Sequence, residues 1–387
     1  NLVQNLLHRA VGVAEVRIET AGGTEPEATL RVLPLAHVDA LREAIFGESE
    51  DAPGNEAAER VPERLAPREL LRIPTPMLVR AGLANNRGMI LAGVAVGAAF
   101  EFDLADRFDF DRFSGWFDAN GSGGLLPLVV VAGVVLALLI VRLLSVVWFI
   151  LRFHDYRLTR RDNDLQIRCG LFTRISATVP RRRIQLISVQ QNIWMRVMGL
   201  SSIKIETAGG SGEEEDNATS SVSSRWFVPV MPSDRVAELL AELREGFAWR
   251  EDELDWKPVA PDTRRRLMRL TTVLATLAGL IGLAVVRPWG LLAGVAAWLP
   301  LYVLAVRQSR AMRYARMENG VVYRSGLFTR KISMTFFDRV QTLRVDQTPF
   351  DRRWNMARLS VDTAAAGPAQ HPIHVPFLTE DFARAAY

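Results

Sequence analysis

The sequence predicts an α+β membrane protein in which tandem β-rich modules, each closed by a C-terminal helix, alternate with two-pass transmembrane helical hairpins. Three observations carry this. First, one stretch recurs: Gln4, Asn5, Arg9 and Gly12 followed by residues 18–23 return as Gln191, Asn192, Arg196 and Gly199 followed by 205–210, and a more diverged copy holds Gln347, Arg352, Val361, Asp362 and Thr363. An internal repeat outranks any local reading, because it sets the unit of the fold. The upstream half recurs too, since Gly-Leu-Phe-Thr-Arg at 170–174 reappears at 326–330, and Arg183, Ile184 and Gln185 reappear as Arg339, Val340 and Gln341. Second, 387 residues that are 49% hydrophobic, with mean hydropathy +0.09, are too long for one usual domain and too apolar for a purely soluble chain. Third, two apolar blocks interrupt the polar modules, and arginines crowd one side of each.

Taken in order, residues 1–47 read as the C-terminal part of a first module, because residue 1 aligns with residue 188; on that alignment the module's N-terminal part and a hairpin lie upstream. Residues 48–75 form a linker rich in Glu, Ala and Pro. Residues 76–153 hold the first hairpin. Leu125 to Phe153 is long enough for a hydrocarbon core of about 30 Å, which takes about 20 helical residues. Gly88 to Phe100 would reach only about 20 Å, so it is expected to be a short or tilted pass extending to Phe102. An even number of crossings keeps the modules on one side. The second module is 154–248, a linker follows at 249–263, the second hairpin is 264–308 with passes at Leu267–Val286 and Gly290–Val306, and the third module is 309–387.

Within a module the alternation of apolar and polar residues predicts strands: 156–159, 165–169, 184–189 and 203–207 in the second copy. Turns are expected at Asp162 to Asp164, at Asn319-Gly320, and at Gly170 and Gly326. Each module then ends in a strand, a proline (Pro34, Pro229, Pro376) and an amphipathic helix. In the second copy Ser233 or Asp234 is placed to cap it, and Val236, Leu239, Leu240, Leu243 and Phe247 share one face. The matching helices are expected at 37–46 and 379–387, and the Ser- and Glu-rich insertion 211–224 as a solvated loop tip.

Arginine placement orients the chain. Arg264, Arg265, Arg266 and Arg269 precede the second hairpin and Arg307, Arg310, Arg313 and Arg316 follow it, against Arg287 alone at its tip. Arg80, Arg87, Arg152, Arg157, Arg160 and Arg161 flank the first, whose connecting loop is acidic and aromatic. The positive-inside rule therefore puts the modules in the cytoplasm of a multi-pass protein.

The motifs at 170–174, 183–185, 191–199 and 207–210, with their copies, resemble those of the bacterial pleckstrin-homology (bacterial PH) domain membrane protein family of the YdbS/YdbT type. The resemblance covers nearly the whole chain and implies a bacterial plasma (inner) membrane protein whose PH-like units are seven-stranded, partly open barrels closed by a helix, with no catalytic residues. The third copy departs from it, with Asn355 where Gly199 stands and Ala365-Ala366 for Gly209-Gly210, which makes its tight turn the point to test.

Nothing in the chain spells an enzyme. No phosphate-binding glycine loop, His-Glu-x-x-His or Gly-x-Ser-x-Gly is present, and His371 and His374 lack a Cys or carboxylate cluster to complete a metal site. No cofactor or metal is expected, and Cys169 reads as a small apolar strand residue. Basic side chains are the better lead: Arg174, Arg181, Arg182, Arg330 and Lys331 are the candidate contacts for anionic lipid headgroups or a partner. The expected function is a non-enzymatic membrane scaffold that binds membrane lipids, a protein partner or further copies of itself, with no nucleic acid. The alternative is a component of a membrane export or lipid-transfer assembly.

Overall fold

A computed structural model describes residues 2–18, 28–34, 67–85, 126–208, 226–244, 247–286, 289–363 and 373–379, with single positions at 37, 88, 93, 97 and 101. The expected pass at Gly88–Phe102, its acidic loop, the insertion 211–224 and the closing helices 37–46 and 379–387 fall largely outside these residues.

The first repeat supplies β1 (Leu2–Gln4), α1 (Leu6–Val11), β2 (Val13–Ile18) and β3 (Ala28–Pro34). Then come β4 (Arg68–Arg72), α2 (Thr75–Ala84) and the long helix α3 (Leu126–Phe153). The second repeat runs β5 (Arg157–Arg161), β6 (Asp164–Cys169), β7 (Arg174–Pro180), a 3-10 turn at Arg181–Arg183, β8 (Ile184–Asn192), α4 (Ile193–Val197), β9 (Leu200–Thr207), β10 (Val228–Pro232) and α5 (Val236–Leu243). After β11 (Lys257–Pro258) and the helices α6 (Thr263–Val286) and α7 (Trp289–Ala311), the third repeat follows with β12 (Arg313–Met317), β13 (Gly320–Ser325), β14 (Thr329–Phe336), a 3-10 turn at Phe337–Arg339, β15 (Val340–Asp346), α8 (Pro349–Arg352), β16 (Met356–Thr363) and β17 (Ile373–Thr379).

The sheets cross the repeat boundaries. One seven-stranded antiparallel sheet runs β3-β2-β1-β7-β6-β5-β4, and a second runs β10-β9-β8-β14-β13-β12-β11. Each joins the last three strands of one repeat to the first three of the next, with a short linker strand, β4 or β11, on the edge. Among the described residues the third sheet holds β15, β16 and β17, and none of the three sheets closes on itself. The expectation of barrels is therefore corrected: the second and third repeats each turn a corner at a 3-10 turn, sending their first three strands into one sheet and their last three into another.

Cores follow from this corner. Leu158, Leu165 and Ile167 from one sheet meet Ile187, Ile203 and Val230 from the next, all buried. Helix α5 covers the gap with Val236, Leu239, Leu240 and Leu243, as its spacing predicts. It stops at Leu243, so Phe247 packs from the following segment, edge-on to Phe336 at 5.2 Å. Val322, Ile332, Met334 and Phe336 of the third repeat belong to this same core, whereas β16 and β17 form a separate one with Val259, Met312, Tyr314 and Tyr323.

Among the described residues two helices are long and apolar enough to cross a membrane, Val131–Phe153 and Thr263–Leu283. Along α3 the surroundings change near Ser145. Leu136, Leu139 and Leu143 are exposed, as lipid-facing residues would be, whereas Phe149 and Phe153 are fully buried and meet Trp148 and Trp226 ring to ring. Helix α2 lies along this junction, held by hydrogen bonds from Arg142 Nη1 to the Leu83 and Asn85 carbonyls at 3.2 Å and from Ser145 Oγ to Asn85 O at 2.9 Å. Gly82 permits the approach, since a Cβ there would strike the Val146 backbone. Helices α6 and α7 form the second hairpin, where Trp298 donates to Thr272 Oγ1 at 3.2 Å and stacks on Tyr302 at 5.0 Å.

Candidate functional site

The repeated motifs meet where one repeat joins the next. Strand β1 pairs with β7 in the register Gln4↔Arg174, Val3↔Ile175 and Leu2↔Ser176. Strand β8 pairs with β14 as Gln191↔Arg330, Gln190↔Lys331 and Val189↔Ile332, which is the same register at equivalent positions. A side chain locks each junction: Arg9 Nη1 donates to Leu171 O at 3.0 Å, and its counterpart Arg196 Nη1 donates to Leu327 O at 3.3 Å. Gly-Leu-Phe-Thr-Arg and Gln-Asn-x-x-x-Arg are thus two halves of one clasp. Only glycine suits the first position of the former, because Gly170 at φ 109° and Gly326 at φ 90° curl so tightly that a Cβ would collide with the carbonyl three residues on.

The second motif folds locally for equally plain reasons. Asn192 Oδ1 accepts from Met195 N at 2.8 Å and starts α4, and Thr348 does the same for α8 in a reciprocal capping box with Asp351. Each short helix ends in a left-handed residue: Gly12 at φ 71°, Gly199 at φ 65° and Asn355 at φ 49°. The third copy keeps its turn because asparagine is among the few residues that tolerate this region.

These motifs lie at the end of each module where the long helices enter. Gly170 N donates to His154 O at 2.9 Å and Leu171 N to Leu151 O at 3.0 Å, so the first clasp loop rests on the last turns of α3. Asn192 Nδ2 donates to Ala84 O at 2.8 Å, which sets α4 beside the end of α2, at the level of Arg142 and Ser145. Arg269 of α6 lies over the rings of Trp354 at 4.2 Å and Phe350 at 5.0 Å, tying α8 to the second hairpin. On this rim large apolar side chains face outward: Phe172 and Phe328 in the clasp loops, Leu7 and Val11 on α1, Ile193, Trp194 (56% exposed) and Val197 (78%) on α4, and Phe350 on α8.

The five basic residues singled out from sequence do not form one cluster. Arg174 and Lys331 are exposed at the helix-proximal ends of β7 and β14. Arg330 is there too, but it pairs with Glu251, which also takes Arg324 at 3.1 Å. Strand β7 then runs about 20 Å away from the helices before reaching the 3-10 turn. At that far end Arg182 is exposed, while Arg181 is only 8% exposed and donates from Nε to Leu243 O at 3.2 Å, pinning the end of α5. Sequence reasoning found the arginines and missed the exposed apolar rim beside them. The signal was present in the unburied Leu, Val, Trp and Phe of the short helices, which no strand or helix period absorbs.

Among the described residues no group of three or more His, Cys, Asp or Glu is arranged to hold a metal ion. Ser360 Oγ lies 2.9 Å from His374 Nδ1, within the third sheet. Cys169 is buried, and burial pushes its thiol up to about 12, far from a reactive thiolate; Arg152 opposes the shift only in part.

Antiparallel sheets of repeated half-modules, joined by clasps and carried on membrane-length helices, define a modular membrane protein. Residues 1–49, 119–246 and 271–387 match the bacterial PH domain family, and the chain belongs to it. It is 23% identical over 392 aligned positions to the UPF0699 transmembrane protein YdbT of Bacillus subtilis (strain 168), an alignment that covers 93% of this chain and 75% of that protein. No solved structure matches.

Proposed function

We propose that this chain is a non-enzymatic scaffold of the bacterial plasma membrane, whose bacterial-PH modules stand on the cytoplasmic leaflet and engage anionic lipid headgroups through the helix-proximal rim. The observation that carries the reading is the rim itself. Phe172, Phe328, Trp194, Val197 and Phe350 are exposed at the end where the membrane-length helices enter, with Arg174 and Lys331 among them. Aromatic and aliphatic side chains at a membrane interface gain by leaving water, and each basic side chain near an anionic surface adds about 1 kcal/mol. Arg181 and Arg182, at the opposite end, have no part in this contact. In this reading the second and third modules remain the sequence units 154–248 and 309–387, while their sheets run on across the boundaries.

The test uses the full chain in nanodiscs. Spin labels on Val197→Cys and Phe172→Cys are expected to relax with lipid-soluble oxygen, and a label on Arg182→Cys with a water-soluble reagent; Cys169, buried, stays unlabelled. In mixed bilayers, Arg174→Ala with Lys331→Ala is expected to reduce the enrichment of anionic lipid around the protein. A Val197 label as wet as the Arg182 label would refute the rim. Unchanged lipid enrichment in the double variant would refute headgroup binding.

A further inference from the structure

Four arginines gather around one carboxylate beside the second junction. Arg313 lies directly opposite Arg324 in the β12–β13 pair, and Arg324 lies opposite Ile332, two residues along β14 from Arg330, so the three side chains stand on one face of the sheet. Lys331, the next residue in β14, faces the other way. Arg196 joins them from α4, where its bond to Leu327 O brings it to the loop that leads into Arg330. In the segment after α5, the 3-10 turn Glu251–Glu253 supplies Glu251, whose Oε1 takes both Arg330 Nη2 and, at 3.1 Å, Arg324 Nη1. Trp256 backs this turn, donating to Glu251 O at 3.0 Å, with the Arg324 guanidinium 5.2 Å from its ring.

One carboxylate leaves this group short of negative charge. Like charges directly opposite on a sheet repel each other, and among the described residues neither Arg196 nor Arg313 has an ion-pair partner. Burial, then the neighbouring Arg313 and Arg196, hold Arg324 below its ordinary pKa, and burial, then Arg196, does the same to Arg330. Arg330 Nε is also shielded from water and meets no acceptor. A buried N–H left in that state is costly, which marks a place where an acceptor belongs. The group stays reachable, since Arg196 and Arg313 are exposed and Arg324, Arg330 and Glu251 are each partly so. The pattern is written twice in the chain: Arg9, Arg157, Arg168 and Arg174 hold the equivalent places at the first junction, where Arg157 again lies opposite Arg168 and pairs with Asp155.

We propose that Arg196, Arg313, Arg324 and Arg330 form a binding site for a terminal phosphate, and that Glu251 holds the ligand's place until the phosphate displaces it. A terminal phosphate carries about two negative charges near pH 7 and three strong acceptor oxygens, whereas a carboxylate offers one charge and two oxygens. Guanidinium forks match such a group in pairs of parallel hydrogen bonds. The exchange therefore brings more compensating charge to the four arginines and an acceptor for Arg330 Nε. A phosphodiester, with a single charge, brings no more than Glu251 already does, so the site selects a terminal phosphate over a bridging one. Arg313 follows the end of α7 by two residues, which puts the site within reach of a leaflet as well as of solution. The proposal does not depend on headgroup binding by the rim.

The experiment adds inorganic phosphate to the full chain in detergent at constant ionic strength and follows it by phosphorus NMR. Saturable line broadening is expected, with an affinity that falls about tenfold in Arg324→Ala and rises about threefold in Glu251→Gln, which removes the competing charge. A gain of binding cannot come from misfolding. Arg182→Ala, beyond the far end of β7, is expected to leave the affinity unchanged. The measurement is then repeated in nanodiscs. Broadening abolished by phosphatidic acid and spared by phosphatidylglycerol assigns the site to a lipid phosphate monoester; broadening spared by both assigns it to a soluble phosphate. Equal loss with both lipids would overturn the proposal, as would no saturable broadening in either the parent chain or Glu251→Gln, or an affinity that Glu251→Gln or Arg324→Ala leaves unchanged. The first assay contains no bilayer, so its result stands apart from the test of the rim.

Discussion

Met334→Ala asks whether a sheet that straddles two repeats makes them one cooperative unit. Met334 lies in β14 of the third repeat, is 0% exposed, and belongs to the core of the second repeat together with Ile187 and Leu240. Truncating a buried methionine to alanine costs about 2–5 kcal/mol, which raises the opening equilibrium of its core roughly 30- to 4,000-fold. Because β14 faces β8 from Asn192 to Leu186, that opening includes β8 and β9. Hydrogen exchange of the detergent-solubilised chain is expected to speed up by this factor at the amides of residues 186–190 and 201–205, in a repeat that carries no substitution. Leu359→Ala, in the separate core of the third sheet, is the comparator; it is expected to accelerate β15 to β17 and leave β8 and β9 unchanged. If Met334→Ala accelerates only residues 313–363, the shared core is wrong and the repeats fold as independent units.

Other outcomes follow from single features. Gly326→Ala forces a Cβ against the Thr329 carbonyl at φ 90° and is expected to lower stability by about 1–3 kcal/mol, whereas Gly199→Asn should cost under about 1 kcal/mol, since Asn355 fills that place in the third copy; equal melting-temperature losses would contradict this. Arg181→Ala is expected to lower the melting temperature, by about 1–3 kcal/mol of lost stability, without changing lipid enrichment in nanodiscs, because Arg181 holds the Leu243 carbonyl rather than a headgroup; the reverse pattern would make it a lipid ligand. Burial raises Cys169 from 9.0 to about 12 and raises Tyr156 well above its ordinary value, so the folded state holds both protons more tightly than the unfolded one. Their contribution is therefore complete below pH 9 and is lost as pH climbs towards 12. Cys169→Ala should shift the alkaline unfolding midpoint upward, and native protein should resist iodoacetamide at pH 8; prompt alkylation of Cys169 would count against the burial.

Much of this architecture is written in the residues. The repeat, the strands, the proline in the strand before α5 and the apolar face of α5 follow from spacing alone. Strand partners do not. Alternation tells which face of β8 is buried and is silent on whether Ile332 or a strand of its own repeat lies beside it, so the expectation of self-contained barrels was natural and mistaken. The clue lay in the letters that recur together: Arg9 and Arg196 precede their respective Gly-Leu-Phe-Thr-Arg loops by a long stretch of chain, yet each needs the loop of the following repeat. Arg181 shows the other limit. Three adjacent arginines look like one basic patch, but the 3-10 turn sends Arg181 inward and Arg182 outward.

The sameness of the two junctions also constrains how far such a chain can grow. Equal registers mean that each added unit is placed by nearly the same rotation and shift as the one before it. If every unit must also keep its footing on a flat bilayer, the shift along the membrane normal vanishes and the rotation axis stands upright. Successive units then trace an arc in the plane of the membrane, whose radius is set by the twist between β8 and β14. A longer series curves back towards its own beginning and does not climb away from the lipid.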